Sequence, residues 1–180
     1  QADIQVGDNV VVIGGGNTAI DCARVALRMG AKSVKLIYRR TRAEMPAEPY
    51  EVEEALHEGV EMLFLMAPTS IVMENGKKKL QCIRMQLGEP DRSGRRRPVP
   101  IEGSDFEIEA DTIIGAIGQS TNTQFLYNDL PVKLNKWGDI EINGKTSQTS
   151  EPNIFAGGDC VTGPATVIQA VAAGRRAAEA

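Results

Sequence analysis

Three consecutive glycines open the segment Gly14-Gly15-Gly16-Asn17-Thr18-Ala19, directly after the β-branched run Val10-Val11-Val12-Ile13. This is a G-x-G-x-x-A spacing, and in a strand-to-helix turn it suits one chemistry, the holding of a diphosphate by backbone. The first glycine permits the tight turn and the next lets the backbone approach the phosphates. The small third residue, Ala19, lets helix and strand pack closely. Amides at the start of the following helix lack intrahelical acceptors and face the anion. At the end of the next strand, a carboxylate would accept from a ribose 2′-hydroxyl. Here stand Tyr38-Arg39-Arg40, with no carboxylate before Glu44. Guanidinium groups suit a 2′-phosphate, since charge-assisted pairs are strong and bidentate. At roughly 1.5–3 kcal/mol for such a bond, NADP(H) is favoured over NAD(H) by about tenfold or more. The rival reading of the Arg pair is a solvated basic loop.

A second polar group stands near the carboxyl end. Gly157-Gly158-Asp159 follows the apolar run Ile154-Phe155-Ala156 and precedes a helix from about Ala165. A strand, a glycine turn, a carboxylate and a helix start make a dipole-positive ligand site. Other chemically able residues read as structural. His57 falls near a helix end, where it caps or carries charge. Arg92 with Arg95-Arg96-Arg97 has no interleaved aromatics and reads as a solvated hairpin tip rather than a nucleic-acid surface. Cys22 and Cys82 read as packing residues, and Cys160 has no second Cys or His near it for redox work. Trp137 before Gly138 anchors a turn. No residue stands out as a catalytic acid or base.

The elements that must position these groups alternate. After the first strand, a helix capped by Asn17 or Thr18 runs to about Met29, with Ile20, Ala23 and Leu27 on one face and Gly30 as its stop. Ser33–Tyr38 is a second strand. Pro46 and Pro49 end the loop after it. A helix through Val52, Ala55 and Leu56 stops at Gly59, and Val60–Leu65 is a third strand. Such βαβαβ order gives a parallel sheet with right-handed crossovers. The period then changes to two. Ile71–Glu74, the turn Asn75-Gly76 and Lys79–Leu87 read as a hairpin. A turn-rich loop over Asp91–Pro100 and an alternating strand through Phe106, Ile108 and Ala110 complete an antiparallel flap. Thr112–Gly118 returns to the parallel sheet. The segment to Thr149 is polar and rich in turns. In the last helix, Val167, Val171, Gly174 and Ala178 share a face that should pack on something. The fold class expected is therefore α/β, a Rossmann-like parallel sheet with an inserted antiparallel flap.

Composition narrows the partners. The chain has 180 residues, 20 Lys plus Arg against 24 Asp plus Glu, and a net charge of −4. An overall basic footprint for nucleic acid is missing. The apolar runs are too short to cross a bilayer. Three widely spaced cysteines argue against a disulfide framework and fit a reducing cytoplasm. The chain opens on Gln1 without a signal-peptide pattern and reads as a segment of something longer.

These motifs, in this order, resemble a known family. VVVIGGGNTAIDCARVALRMGAKSVKLIYRR, then MPA, a hairpin insertion, AIGQ and NIFAGGDCVTGPATVIQAVAAGRRAA are similar to the small (beta) subunit of NADPH-dependent glutamate synthase. The flavoprotein segment of dihydropyrimidine dehydrogenase and related NADPH–ferredoxin oxidoreductases match as well. The resemblance implies an NADPH-binding domain over residues 1–119 and the C-terminal half of an FAD-binding domain over 120–180. It implies that Gly14, Gly15, Gly16, Asn17 and Thr18 hold the NADPH pyrophosphate and that Arg39 and Arg40 hold the 2′-phosphate. Ala116, Ile117 and Gly118 would line the nicotinamide side. Gly158 and Asp159 would contact FAD, with the helix start at Thr166 and Val167 facing the flavin. Iron–sulfur clusters would lie outside this chain, and the electron-accepting partner would be the glutamate synthase large subunit or another protein. The C-x-x-C of thioredoxin reductase is absent. A non-catalytic NADP(H)-binding sensor or interaction module is the alternative.

Overall fold

A computed structural model of the chain describes residues 5–74, 76–91, 94–123 and 131–180. It comprises two compact units that divide after Ile117. In the first, strands β1 (Asn9–Ile13), β2 (Ser33–Tyr38), β3 (Glu61–Phe64) and β7 (Thr112–Gly115) form a parallel sheet in the order β3-β2-β1-β7. Helices α1 (Asn17–Arg28) and α2 (Pro49–His57) supply the crossovers between β1, β2 and β3. Strands β4 (Met66–Glu74), β5 (Lys77–Pro90) and β6 (Arg96–Glu109) make the antiparallel flap, and β7 then rejoins the parallel sheet beside β1. The expected hairpin turn includes Asn75, which lies outside the described residues.

The uniform apolar strands have a clear cause. Val10 and Val12 pack with Val34, Leu36 and Tyr38 against Ile20 and Ala23 of α1 and Val52 and Ala55 of α2. Val11 and Ile37 face the other way, onto Leu80, Cys82, Ile108 and Ala110 of the flap. Helices cover one face of the sheet and the flap covers the other, so the centre of β1 and the end of β2 are buried on both sides. A run with no polar alternation is what such a sandwiched strand requires. Each fully buried Ile, Leu or Val contributes roughly 1.5–3 kcal/mol.

Three expectations for the first unit are corrected. The cap of α1 is Gly16 in extended conformation, and neither Asn17 nor Thr18 caps it with a side chain. Asn17 instead accepts from the Glu48 amide through Oδ1 at 2.8 Å, tying α1 to the start of α2. As expected the loop ends at Pro49, which occupies the first turn of α2, where its missing N–H costs nothing. The loop expected over Asp91–Pro100 is shorter. Arg96–Pro100 pairs with Met85–Pro90, because the alternate side chains of that stretch suit a solvated strand edge. Arg96 is accordingly a strand residue, bonded through its guanidinium to the carbonyls of Leu87 and Gly88. Arg92 lies outside the described residues.

Among its described residues, the second unit holds two helices and little sheet. Expected as a strand, Ile154–Ala156 makes one isolated bridge, Phe155 to Gln148, and Phe155 is 43% exposed. Its neighbour is the short segment 147–149: the Thr149 amide donates to the Ile154 carbonyl at 2.9 Å and the Ala156 amide to the Ser147 carbonyl at 3.0 Å, too few bonds to extend a strand. Helix α3 (Asp159–Thr162) leads to α4 (Val167–Glu179). The face expected to pack is turned outward: Val167, Ile168 and Val171 are 82%, 78% and 66% exposed, and within α4 only Ala173 is buried. Ala173 lies against Gly157, where a Cβ would come within 2.9 Å of the alanine Cβ. None of the described helices is long and apolar enough to cross a membrane.

Candidate functional site

The glycine loop sits at the carboxyl ends of β1 and β7. Strand β1 leads through α1 to β2 on one side, while β7 lies on its other side, so the loop occupies the point where the strand order reverses. Open α/β sheets bind ligands in that crevice. Gly14 has φ +152°, and a Cβ there would lie 2.3 Å from the Ala116 carbonyl oxygen and 3.0 Å from the Ala19 Cβ. This position needs glycine for the fold alone. Gly15 is also constrained by the protein: a Cβ would strike the Tyr38 ring at 2.4 Å. Gly16 differs, since a Cβ there would meet only Pro46, at 3.9 Å. Packing therefore does not account for the third glycine. A ligand drawn close to the backbone would.

The local hydrogen bonding agrees. The Gly16 carbonyl accepts from Ala19 and Ile20, which starts α1. Among the described residues, the amides of Gly15, Gly16, Asn17 and Thr18 have no partner. The first turn of α1 carries no acidic residue. Four open N–H groups and the positive end of a helix dipole, without a competing carboxylate, suit a diphosphate. The arrangement is held by Tyr38, whose hydroxyl donates to the Glu44 carbonyl at 2.8 Å, and by the Ala47 amide, which donates to the Gly15 carbonyl.

The basic loop at the end of β2 is not uniform. Arg39 is exposed and, among the described residues, makes no hydrogen bond or ion pair. Arg40 is 5% exposed; its Nε donates to the Arg96 carbonyl at 2.7 Å and its Nη2 to Asp91 Oδ2 at 2.8 Å. Arg42 pairs with Glu53. Glu44 accepts from the Thr41 hydroxyl and amide, and that hydroxyl bond holds its carboxyl below the usual range. The expected pair of phosphate-reading arginines therefore becomes one exposed guanidinium and one buried one. The reason is that the flap turn supplies a carboxylate and a carbonyl to Arg40.

Ala116 donates to the Ile13 carbonyl at 2.8 Å and lies beside Gly14, while Ile117 is 81% exposed at the same end of the sheet. Gly118 begins the second unit. In that unit Gly158 precedes α3, and Asp159 accepts from the Ala165 amide at 3.2 Å through Oδ1. Its other carboxylate oxygen has no partner among the described residues. Thr166 and Gln169 close a capping box at α4, and the amides of Val167 and Ile168 are open. A free carboxylate oxygen beside open helix amides can hold a ligand carrying both hydroxyl and acceptor groups.

This geometry can be set beside known proteins. The model of the pyridine nucleotide-disulphide oxidoreductase family matches residues 2–174. The chain belongs to that family. It is 54% identical over 173 residues to the NADP(+)-dependent formate dehydrogenase subunit beta of Moorella thermoacetica, covering 96% of this chain and 24% of that one. It is 40% identical over 174 residues to the glutamate synthase [NADPH] small chain of Azospirillum brasilense, covering 96% and 36%. The chain thus spans about a quarter to just over a third of these two curated relatives. Among solved structures, the thioredoxin reductase of T. acidophilum matches with a TM-score of 0.73 at 27% identity, over 95% of this chain and 50% of that one. The fold is that of these oxidoreductases, and the resemblance to glutamate synthase small chains holds along nearly the whole chain. None of the three cysteines is paired, and no C-x-x-C occurs in the sequence.

Sequence reasoning missed two residues of the site. Tyr38 is readable from alternation, since it follows Val34 and Leu36 on the helix-facing side of β2. Asp91 is not, because its partner Arg40 lies 51 residues away and the sequence between them carries no sign of the contact.

Proposed function

We propose that this chain is the NADP(H)-binding part of a flavoprotein oxidoreductase, with residues 120–180 contributing the C-terminal half of the FAD-binding domain. Gly14, Gly15 and Gly16 and the open amides through Thr18 bind the diphosphate, and Arg39 reads the 2′-phosphate. Ala116, Ile117 and Gly118 border the nicotinamide. Gly158, Asp159 and the α4 start at Thr166 and Val167 serve the flavin. When bound, FAD supplies the two-electron chemistry by taking hydride from NADPH and passing electrons onward. The residues of this chain bind, orient and select; no proton-transfer group is required of them. The observation that carries the proposal is Gly16: an open backbone position at the switch point of the sheet, in a run of four residues, 15–18, whose amides have no partner among the described residues.

The finer assignment expected from sequence, glutamate synthase with its large subunit as partner, is one of several the relatives support. One relative is named a formate dehydrogenase subunit and another a glutamate synthase chain. The proposal therefore stops at exchange of electrons between NADP(H), flavin and a partner protein. The test is to purify the intact protein and add NADPH without oxygen. A yellow protein whose flavin absorbance bleaches with NADPH, and much more slowly with NADH, supports the proposal. A colourless protein that binds NADPH all the same favours the sensor reading, and bleaching by NADH at the same rate removes the role of Arg39.

A further inference from the structure

Three parts of the first unit meet at Arg40. Its backbone carbonyl accepts from the Leu65 amide at 3.1 Å. Leu65 joins the parallel sheet to the flap, sits at φ +55°, and in turn accepts from the Met85 amide at 2.8 Å. The Arg40 side chain reaches the opposite end of the flap, at Asp91 and the Arg96 carbonyl. One residue thus ties the end of β2 to the root of β4 and to the β5–β6 turn. Its guanidinium side chain is 7% exposed, and that of Asp91 24%. Meanwhile Arg42 is committed to Glu53. Of the three guanidiniums over 39–42, Arg39 is the one exposed without a partner among the described residues.

We infer that Arg40 is a positioning residue, which locks the loop after β2 to the flap through Asp91 and so holds Arg39 outward as the determinant of preference for the 2′-phosphate. This rests on the proposed function, because it specifies how that site selects its coenzyme. The buried fork, Nε to a carbonyl and Nη2 to a carboxylate, is the type of contact a planar guanidinium makes better than an ammonium. A direct ligand would instead leave its guanidinium free to meet the incoming anion. A carboxylate bound to Arg40 also offsets the charge that a phosphate would seek.

The two roles predict opposite signs for one substitution, Asp91→Asn. It leaves every arginine in place. A direct ligand would be released and a nearby negative charge removed, so NADPH would bind as well or more tightly. A positioning residue would lose its anchor, the loop would loosen, and the preference for NADPH over NADH would fall by about tenfold, the worth of one charge-assisted contact. Dissociation constants for both coenzymes are measured on the intact protein. The variants are Asp91→Asn, Asp91→Glu, Arg39→Ala and the Asp91→Asn plus Arg39→Ala pair. NADH affinity serves as the internal standard for an intact fold. The expected results are a lost preference in Asp91→Asn, partial recovery in Asp91→Glu, and no further loss when Asp91→Asn is added to Arg39→Ala. Tighter or unchanged NADPH binding in Asp91→Asn overturns the inference alone, as does a loss that adds in full to that of Arg39→Ala. Equal weakening of NADH and NADPH also overturns it, in favour of a general structural role. A wild-type protein that binds neither coenzyme overturns the proposed function and this inference with it.

Discussion

Replacing each glycine of the loop by alanine separates folding from binding. At Gly14 the new Cβ would sit 2.3 Å from a carbonyl oxygen at φ +152°, and at Gly15 it would enter the Tyr38 ring at 2.4 Å. Backbone or a packed ring must move in both cases. Overpacking of this kind costs about 1–3 kcal/mol. At 2–4 °C per kcal/mol for a chain of this size, Tm should fall by roughly 2–12 °C. Gly16→Ala has no such clash, since its nearest neighbour is 3.9 Å away. Gly16 is the helix cap at φ −93°, ψ 175°, a conformation alanine adopts freely. Alanine is a poorer cap by up to about 1 kcal/mol. Reduced freedom in the unfolded chain returns about 0.4–1 kcal/mol. The net change in Tm should therefore be within about 4 °C, in either direction. Coenzyme binding should respond quite differently. A methyl group where the phosphate must approach removes at least one charge-assisted contact, worth roughly 1.5–3 kcal/mol, so Kd for NADPH should rise by about tenfold to a hundredfold or more. Thermal melting and fluorescence titration of the intact protein give the two quantities. A Gly16→Ala variant that melts and binds like the wild type would refute the argument that this space belongs to a ligand.

Two further outcomes follow from the first unit. Burial pushes the Cys82 thiol up to about 11, and the side chain is fully enclosed between sheet and flap. At pH 8 a disulfide reagent should therefore modify Cys82 only after denaturant is added, as mass spectrometry of the labelled peptides would show; labelling in the native state would contradict the packing of the flap. Asp111 accepts from the amide and side chain of Asn9, which hold its carboxyl below the usual range. Its folded pKa is depressed, so its contribution to stability is complete above the unfolded value near 4 and fades as pH falls through the folded one. Asp111→Asn should lower Tm at neutral pH and flatten the acid limb of a Tm–pH profile; an unchanged limb would show that the contact is not made in solution.

The parallel sheet was legible because its signals are local. Val10–Ile13 is β-branched and apolar throughout, Ser33–Tyr38 is largely apolar, Gly30 and Gly59 stop the two helices, and the G-x-G-x-x-A falls between strand and helix. The flap was legible in its alternation through Ile83, Met85 and Leu87, but its length was not, because Arg96–Pro100 looks polar and turn-like when its partner strand is unknown. The cap of α1 was misplaced since Asn17 had a better use, the Glu48 amide, which only the folded chain brings near. Arg40 shows the same limit most clearly. A basic residue after a strand carries no sign in the sequence that a distant aspartate and carbonyl enclose its guanidinium. In the second unit the pattern of α4 promised a packed face, yet Val167 and Val171 are exposed, because nothing among the described residues covers them.

The proposed selection of NADP(H) depends on one exposed guanidinium, Arg39, at the end of the strand next to the open backbone cradle. Calorimetric titration of the intact wild-type protein and of Arg39→Ala with NADPH and with NADH tests it most directly. Wild type should prefer NADPH by about tenfold or more, Arg39→Ala should remove most of this preference, and NADH affinity should change by less than about twofold. A variant that retains the wild-type preference, or a wild type that binds the two coenzymes equally, would contradict it.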